Sequence, residues 1–157
     1  RLVDLHRHAG RATYIVSAAP QEIVAPLANA LGMTGGIGTR GEVVDGVYTG
    51  ELDGPFCYGP GKVEAISEIA AWDGLNLALC YGYSDSHSDL PMLTAVGHPV
   101  AVNPDKQLAH HARIHGWPIV IFSQRTKTVI RRTAAGLATT GVAVGGFAAG
   151  LELGKRR

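Results

Sequence analysis

The chain has 157 residues, of which 46% are hydrophobic, and a formal net charge of +1; that is enough to build one α/β domain with a real core, and it excludes wholesale disorder. No basic stripe interleaved with aromatic residues occurs, so nonspecific nucleic-acid binding is excluded as well. Cys57 and Cys80 stand too far apart for a CxxC metal or redox motif and read as ordinary thiols.

Arg1 to Ala12 is a short polar stretch with His6 and His8 that runs into a strand. No charged segment followed by an apolar run opens it, so no secretory signal is read here. It has the texture of the end of something, and the sequence is expected to be a fragment or a processed product. Ala12 to Ser17 is apolar and β-branched and predicts a buried strand. Proline suits a first helical turn, and Ile23, Val24, Leu27, Ala30 and Leu31 form a stripe, so a helix is predicted over 21–31 with Gly32 closing it.

Gly35 to Gly54 alternates around glycines and reads as a strand followed by a hairpin turning at Asp45-Gly46. Helical spacing returns over 61–72. Strands are then predicted over 76–81, 99–102 and 118–122, with helices over 90–96 and 105–115. Strand and helix alternate throughout, which predicts a parallel sheet with helices on both faces. Ligands of such sheets sit beyond the carboxyl ends of the strands, which directs attention to Ser17 and to the loop at 83–89.

Three elements there carry chemistry. Ser17 is expected where a strand turns into a helix, beside free backbone N–H groups suited to an anionic oxygen, although a serine in that place is more often a simple cap. Lys62 follows Gly59-Pro60-Gly61 at a helix start, where the macrodipole disfavours a cation unless an anion lies nearby; the bland alternative is a solvated lysine. Asp85 and Asp89, in Ser84-Asp85-Ser86-His87-Ser88-Asp89, are hard oxygen donors at the carboxyl edge of the sheet and suit Mg2+ better than they suit a plain helix cap.

Taken in order, Ser17 after an apolar strand, Lys62 before a helix and Tyr83-Ser-Asp-Ser-His-Ser-Asp-Leu-Pro-Met-Leu93 after the next strand resemble the second, third and fourth motifs of the haloacid dehalogenase (HAD) superfamily. The likeness is strongest to the subfamily containing phosphoserine phosphatase. Tyr48-Thr-Gly, Cys57-Tyr-Gly-Pro-Gly-Lys62 and Ala101-Val-Asn-Pro-Asp105 add to it, and it extends over residues 13–122.

The resemblance implies an α/β, Rossmann-like fold and a Mg2+-dependent phosphate-monoester hydrolase acting through an aspartyl-phosphate. Asp85 would bind Mg2+, Asp89 would orient the metal shell or its loop, and Ser17 would hydrogen-bond the phosphoryl oxygens. Lys62 would neutralise charge on the phosphate and the nucleophile. Ser88 stands where several relatives carry asparagine. The first motif, Asp-x-Asp, occurs nowhere in the chain. That strand and most of the cap are therefore expected upstream of Arg1, leaving the sheet incomplete at its N-terminal side and these residues inactive alone. The implied substrate is a small phosphorylated metabolite. The competing reading is a non-catalytic phosphate- or metal-binding module, or a membrane-tethered interaction protein, on the same scaffold.

Three further patterns are set aside. Gly36-x-Gly38-x-x-Gly41 does not open a helix and so is no dinucleotide site, and Gly61-Lys62 lacks the other residues of a Walker A loop. His110, His111 and His115 lack the HExxH pattern and read as a solvated face. Two regions are expected: a HAD-like core with the end of a cap over 1–122, and a basic, Gly/Ala-rich tail over 123–157. Within the tail, 133–151 is uncharged but thinly apolar, so membrane association is weighed evenly against a loosely helical tail. The expected location is cytoplasmic, with that one segment as a membrane contact.

Overall fold

A computed structural model describes residues 2–122, and the elements through Val120 form one compact unit. The tail over 123–157, including the membrane contact expected at 133–151, lies outside the described residues. Among the described residues no helix is long and apolar enough to cross a membrane.

The chain enters through helix α1 (Leu2–His8) and continues as β1 (Tyr14–Pro20) and α2 (Gln21–Ala30). Strand β2 (Gly35–Thr39) leads into a hairpin of β3 (Gly41–Val44) and β4 (Val47–Leu52), and α3 (Pro60–Trp72) follows. The second half is β5 (Tyr81–Ser84), α4 (Leu90–Ala95), β6 (His98–Val102), α5 (Lys106–Ile114) and β7 (Ile119–Val120). Strands β1 and β2 pair in parallel, β5, β6 and β7 form a second parallel group in that order, and β3 and β4 are antiparallel. Parallel strands alternating with helices are the α/β arrangement the alternation predicts.

The core follows from burial. Leu93, Ala101, Leu108 and Ala112 are fully buried, with Met92 beside them, and Val16, Ile66, Trp117 and Ile119 close over them. Helix α2 lies on β1 and β2, while α4 and α5 lie against β6. Gly36 and Gly38 allow that first contact: a Cβ on Gly36 would stand 2.7 Å from the Val24 carbonyl, and one on Gly38 2.5 Å from that of Ala19. The glycine pattern that mimics a dinucleotide motif therefore serves close packing of a strand under a helix. At the hairpin tip Asp45 and Gly46 both have positive φ, which a two-residue turn requires.

Several expectations shift. The polar opening stretch is a helix, α1, whose His6 is buried and hydrogen-bonds to the Tyr83 hydroxyl. Asn76 to Tyr81 is not a strand: the Asn76 side chain accepts from Ala78 N–H and caps a short 3-10 turn over Leu77–Leu79, and the strand begins at Tyr81. Trp72, the last residue of α3, is 90% exposed.

Candidate active site

Helix α3 begins where Gly59, with φ of 51°, turns the chain and Pro60 takes the first helical position. Gly61 is forced by proximity, since a Cβ there would lie 2.0 Å from the Phe56 carbonyl oxygen. Lys62 comes next and is buried, at 8% exposure, so it is no solvated lysine. Its Nζ stands 2.7 Å from Asp89 Oδ1. The anion that a cation at a helix start requires is thus supplied, in the first place, by Asp89.

Asp89 is itself buried and precedes α4 without using its side chain as a cap. Its second oxygen, Oδ2, accepts a hydrogen bond from Ser84 Oγ at 2.7 Å. One carboxylate thus joins the end of β5 to the start of α3. Asp85, by contrast, is exposed, and its carboxylate has no hydrogen-bond or ion-pair partner among the described residues. Its position is held through the backbone. Asp105 N–H donates to the Asp85 carbonyl at 2.7 Å, while the Asp105 carboxylate accepts from His87 N–H at 2.7 Å and Leu108 N–H at 2.8 Å. Those bonds from Leu108 and His87 hold the Asp105 carboxyl below its ordinary value.

Ser17 is not at the helix start. It lies within β1, four residues before α2, whose cap position is Pro20. The β1–β2 ladder runs to Val16↔Ile37 and resumes only at Pro20↔Thr39, so Ser17, Ala18 and Ala19 bulge against Gly38 alone. Side chains fasten the bulge: Gln21 Nε2 donates to the Gly36 carbonyl at 2.9 Å, Gln21 Oε1 accepts from Gly38 N–H at 2.6 Å, and Thr39 Oγ1 donates to the Ala18 carbonyl at 3.0 Å. Ser17 Oγ accepts from Ala19 N–H at 3.2 Å.

The buried Cys57 marks where these elements converge. Burial pushes its thiol up, the Lys62 charge and the Ser17 backbone N–H pull it down, and the Asp89 carboxylate adds to the rise. The Ser17 backbone, the Lys62 ammonium and the Asp89 carboxylate thus all lie within electrostatic reach of the Cys57 thiol. Asp85 stands apart on the exposed side of the same loop. Among the described residues no group of three His, Cys, Asp or Glu could hold a metal unaided. His111 and His115 stack on each other with ring centroids 4.1 Å apart, and His111 meets Trp117 edge-on. Of the supporting residues, Asp105 was legible as the start of a helix after Asn103-Pro104; Ser84, Thr39, Gln21 and the role of Cys57 were not, because a hydroxyl or amide bonding across elements leaves no spacing signal.

The haloacid dehalogenase-like hydrolase family matches residues 1–94. A Mycobacterium tuberculosis (strain ATCC 25618 / H37Rv) protein named "Probable phosphatase Rv3661" is 48% identical over 153 residues, covering 95% of this chain and 53% of its own length. From the same strain, a protein named phosphoserine phosphatase SerB1 is 46% identical over 118 residues, covering 75% of this chain and 38% of that protein. A crystal structure of a Bordetella pertussis Tohama I protein of unknown function superposes with a TM-score of 0.71 at 38% identity, over 76% of this chain and 55% of that one. The chain thus spans about half the length, or less, of the curated relatives it matches. With more than half of its residues under the family match, the chain belongs to the haloacid dehalogenase-like hydrolases.

Proposed function

We propose that these residues form the phosphate- and metal-holding part of a Mg2+-dependent phosphate-monoester hydrolase. The observation that carries this reading is the buried Lys62–Asp89 pair at 2.7 Å, set against the Ser17 backbone around Cys57. A buried lysine is expensive, and a site that receives a dianion gives it a purpose. Lys62 would balance charge on the phosphoryl group, the Ser17 hydroxyl would donate to a phosphoryl oxygen, and Asp89, braced by Ser84, would keep the ammonium aimed.

The donor set suits Mg2+: Asp85 is an exposed, uncommitted carboxylate at the carboxyl end of a parallel strand, and Mg2+ takes one or two carboxylates while keeping water and substrate oxygens. When bound, the ion would lower the repulsion between phosphate and an attacking carboxylate. That carboxylate would belong to the Asp-x-Asp motif, which the 157-residue sequence does not contain. We assign it to an Asp-x-Asp strand outside these 157 residues. Its oxygen would bond to phosphorus as the ester P–O bond breaks and the alcohol leaves with a proton; water would then cleave the acyl phosphate to inorganic phosphate. Two observations support an inserted strand. Neither β1 nor β5 has a second paired strand among the described residues, and both line one cavity of about 630 Å3.

The substrate class is a small phosphomonoester, a reading that the relative named phosphoserine phosphatase supports. The test has two arms. The coding sequence upstream of Arg1 should encode an apolar strand ending in Asp-x-Asp, and the full-length protein should release phosphate from phosphoserine or a similar monoester only with Mg2+. Asp85→Asn should raise the Mg2+ concentration for half-activation by about 10-fold or more. An initiation codon close to Arg1, or unchanged Mg2+ activation in the variant, would sink the reading.

A further inference from the structure

We propose that Thr39 is a positioning residue whose hydroxyl sets the placement of Ser17 relative to Lys62; this rests on the reading of those two side chains as phosphate ligands. The reasoning starts from the bulge. Three residues, Ser17 to Ala19, oppose Gly38 alone, so backbone groups there leave the ladder and need other partners. The Ala18 carbonyl takes its hydrogen from Thr39 Oγ1 at 3.0 Å, and the same oxygen accepts from Cys57 N–H at 3.3 Å. A hydroxyl has one hydrogen and two lone pairs, so it performs both roles at once. Thr39 is only 8% exposed, and solvent has little access to replace either bond.

The two partners are the neighbours of the site. Ala18 follows Ser17 directly. Cys57 follows Phe56, whose carbonyl is wedged against Gly61, so the link from Cys57 to Lys62 is short and has little freedom. One oxygen atom on β2 thereby fastens the strand carrying the phosphate hydroxyl to the segment carrying the phosphate cation. Asp85 hangs on β5 and α5 instead and is independent of the clasp.

The experiment compares Thr39→Val, which keeps the shape and removes the hydroxyl, with Thr39→Ser, which keeps the hydroxyl, in the full-length protein. Thr39→Ala is the fallback should valine not fold. Amide exchange at Ser17–Ala19 and at Cys57 is followed alongside KM for phosphoserine, Ki for inorganic phosphate and the Mg2+ dependence. Loss of the hydroxyl should speed exchange at both segments and raise KM and Ki together by about 10-fold, as one lost buried hydrogen bond allows. Half-activating Mg2+ should stay fixed, and serine should restore wild-type values. A variant that only melts earlier, with unchanged KM, Ki and local exchange, overturns the proposal. Faster exchange in a protein whose wild type neither turns over nor is inhibited by phosphate overturns the phosphatase reading and leaves the clasp as a structural feature only.

Discussion

At the scale of single residues, the site turns on the exchange between Lys62 and Asp89. Each side chain is about one-tenth exposed, so neither charge is well solvated without the other. Removing one partner strands a buried charge at a cost of about 3–5 kcal/mol, whereas replacing both with apolar groups of similar size is often neutral or stabilising. Lys62→Met should therefore lower unfolding free energy by that amount and abolish phosphate release. Combining it with Asp89→Leu should recover most of the stability and none of the activity. Urea unfolding of the four-member cycle measures the first statement, and phosphate release the second. Additive losses would mean that the pair is not coupled and that the distance between the two groups has no energetic content. Sequence reasoning placed Lys62 and Asp89 in the site but did not join them, since their partnership spans 27 positions of chain with a 3-10 turn and β5 between them. What was legible was the oddity of a lysine at a helix start; what was not was which anion answers it.

At the scale of elements, α1 illustrates how a tertiary contact decides a segment that composition leaves ambiguous. Leu2 to His8 reads as polar chain, yet His6 is buried, with Nε2 2.8 Å from the Tyr83 hydroxyl and its ring tilted against Tyr81. Arg11 stands beside it, with its guanidinium over the Tyr81 ring. Burial first, and then the Arg11 charge, hold the His6 imidazole below its ordinary value of 6.5. The sign follows: the unfolded chain takes up a proton near 6.5 that the folded chain refuses, so this residue's contribution is full above that pH and is lost as pH falls below it. Unfolding midpoints should drop between pH 7 and 5, and His6→Gln, which retains a hydrogen-bonding group for Tyr83, should flatten the slope. Parallel curves for the two proteins would show that His6 does not titrate in that window. The displaced strand before β5 has a comparable cause. The apolar run 77–79 satisfied the strand pattern, but the Asn76 cap draws it into a turn and the ladder starts four residues after Leu77.

At the scale of the molecule, the parallel strands fall into two groups, and among the described residues β1 and β5 each have one paired edge and both line the same cavity. Alternation of strand and helix made the α/β class legible, and the carboxyl-end rule located the loop at 83–89; register could not be read, because the bulge at Ser17 depends on Gln21 and Thr39 reaching back across the ladder. An open strand edge inside a sheet leaves backbone N–H and C=O groups without partners, a condition that parallel sheets meet only when another strand fills it. Neighbouring strands stand about 4.8 Å apart, so one strand inserted between two edges sets them roughly twice that distance apart. Its carboxyl end would then lie between Ser17 on one side and the Ser84–Asp85 turn on the other, which is where the proposed nucleophile would meet a phosphate bound beside Lys62. Amides of β1 and β5 that point away from β2 and β6 should exchange quickly in the 157-residue chain, while those of β6, paired on both sides, should be protected. In the full-length protein the same β1 and β5 amides should slow by two orders of magnitude or more, roughly the protection given by about 3 kcal/mol of local stability. Equal exchange in both proteins would place the missing carboxylate somewhere other than this gap, and the geometry of attack would have to be rebuilt from another edge.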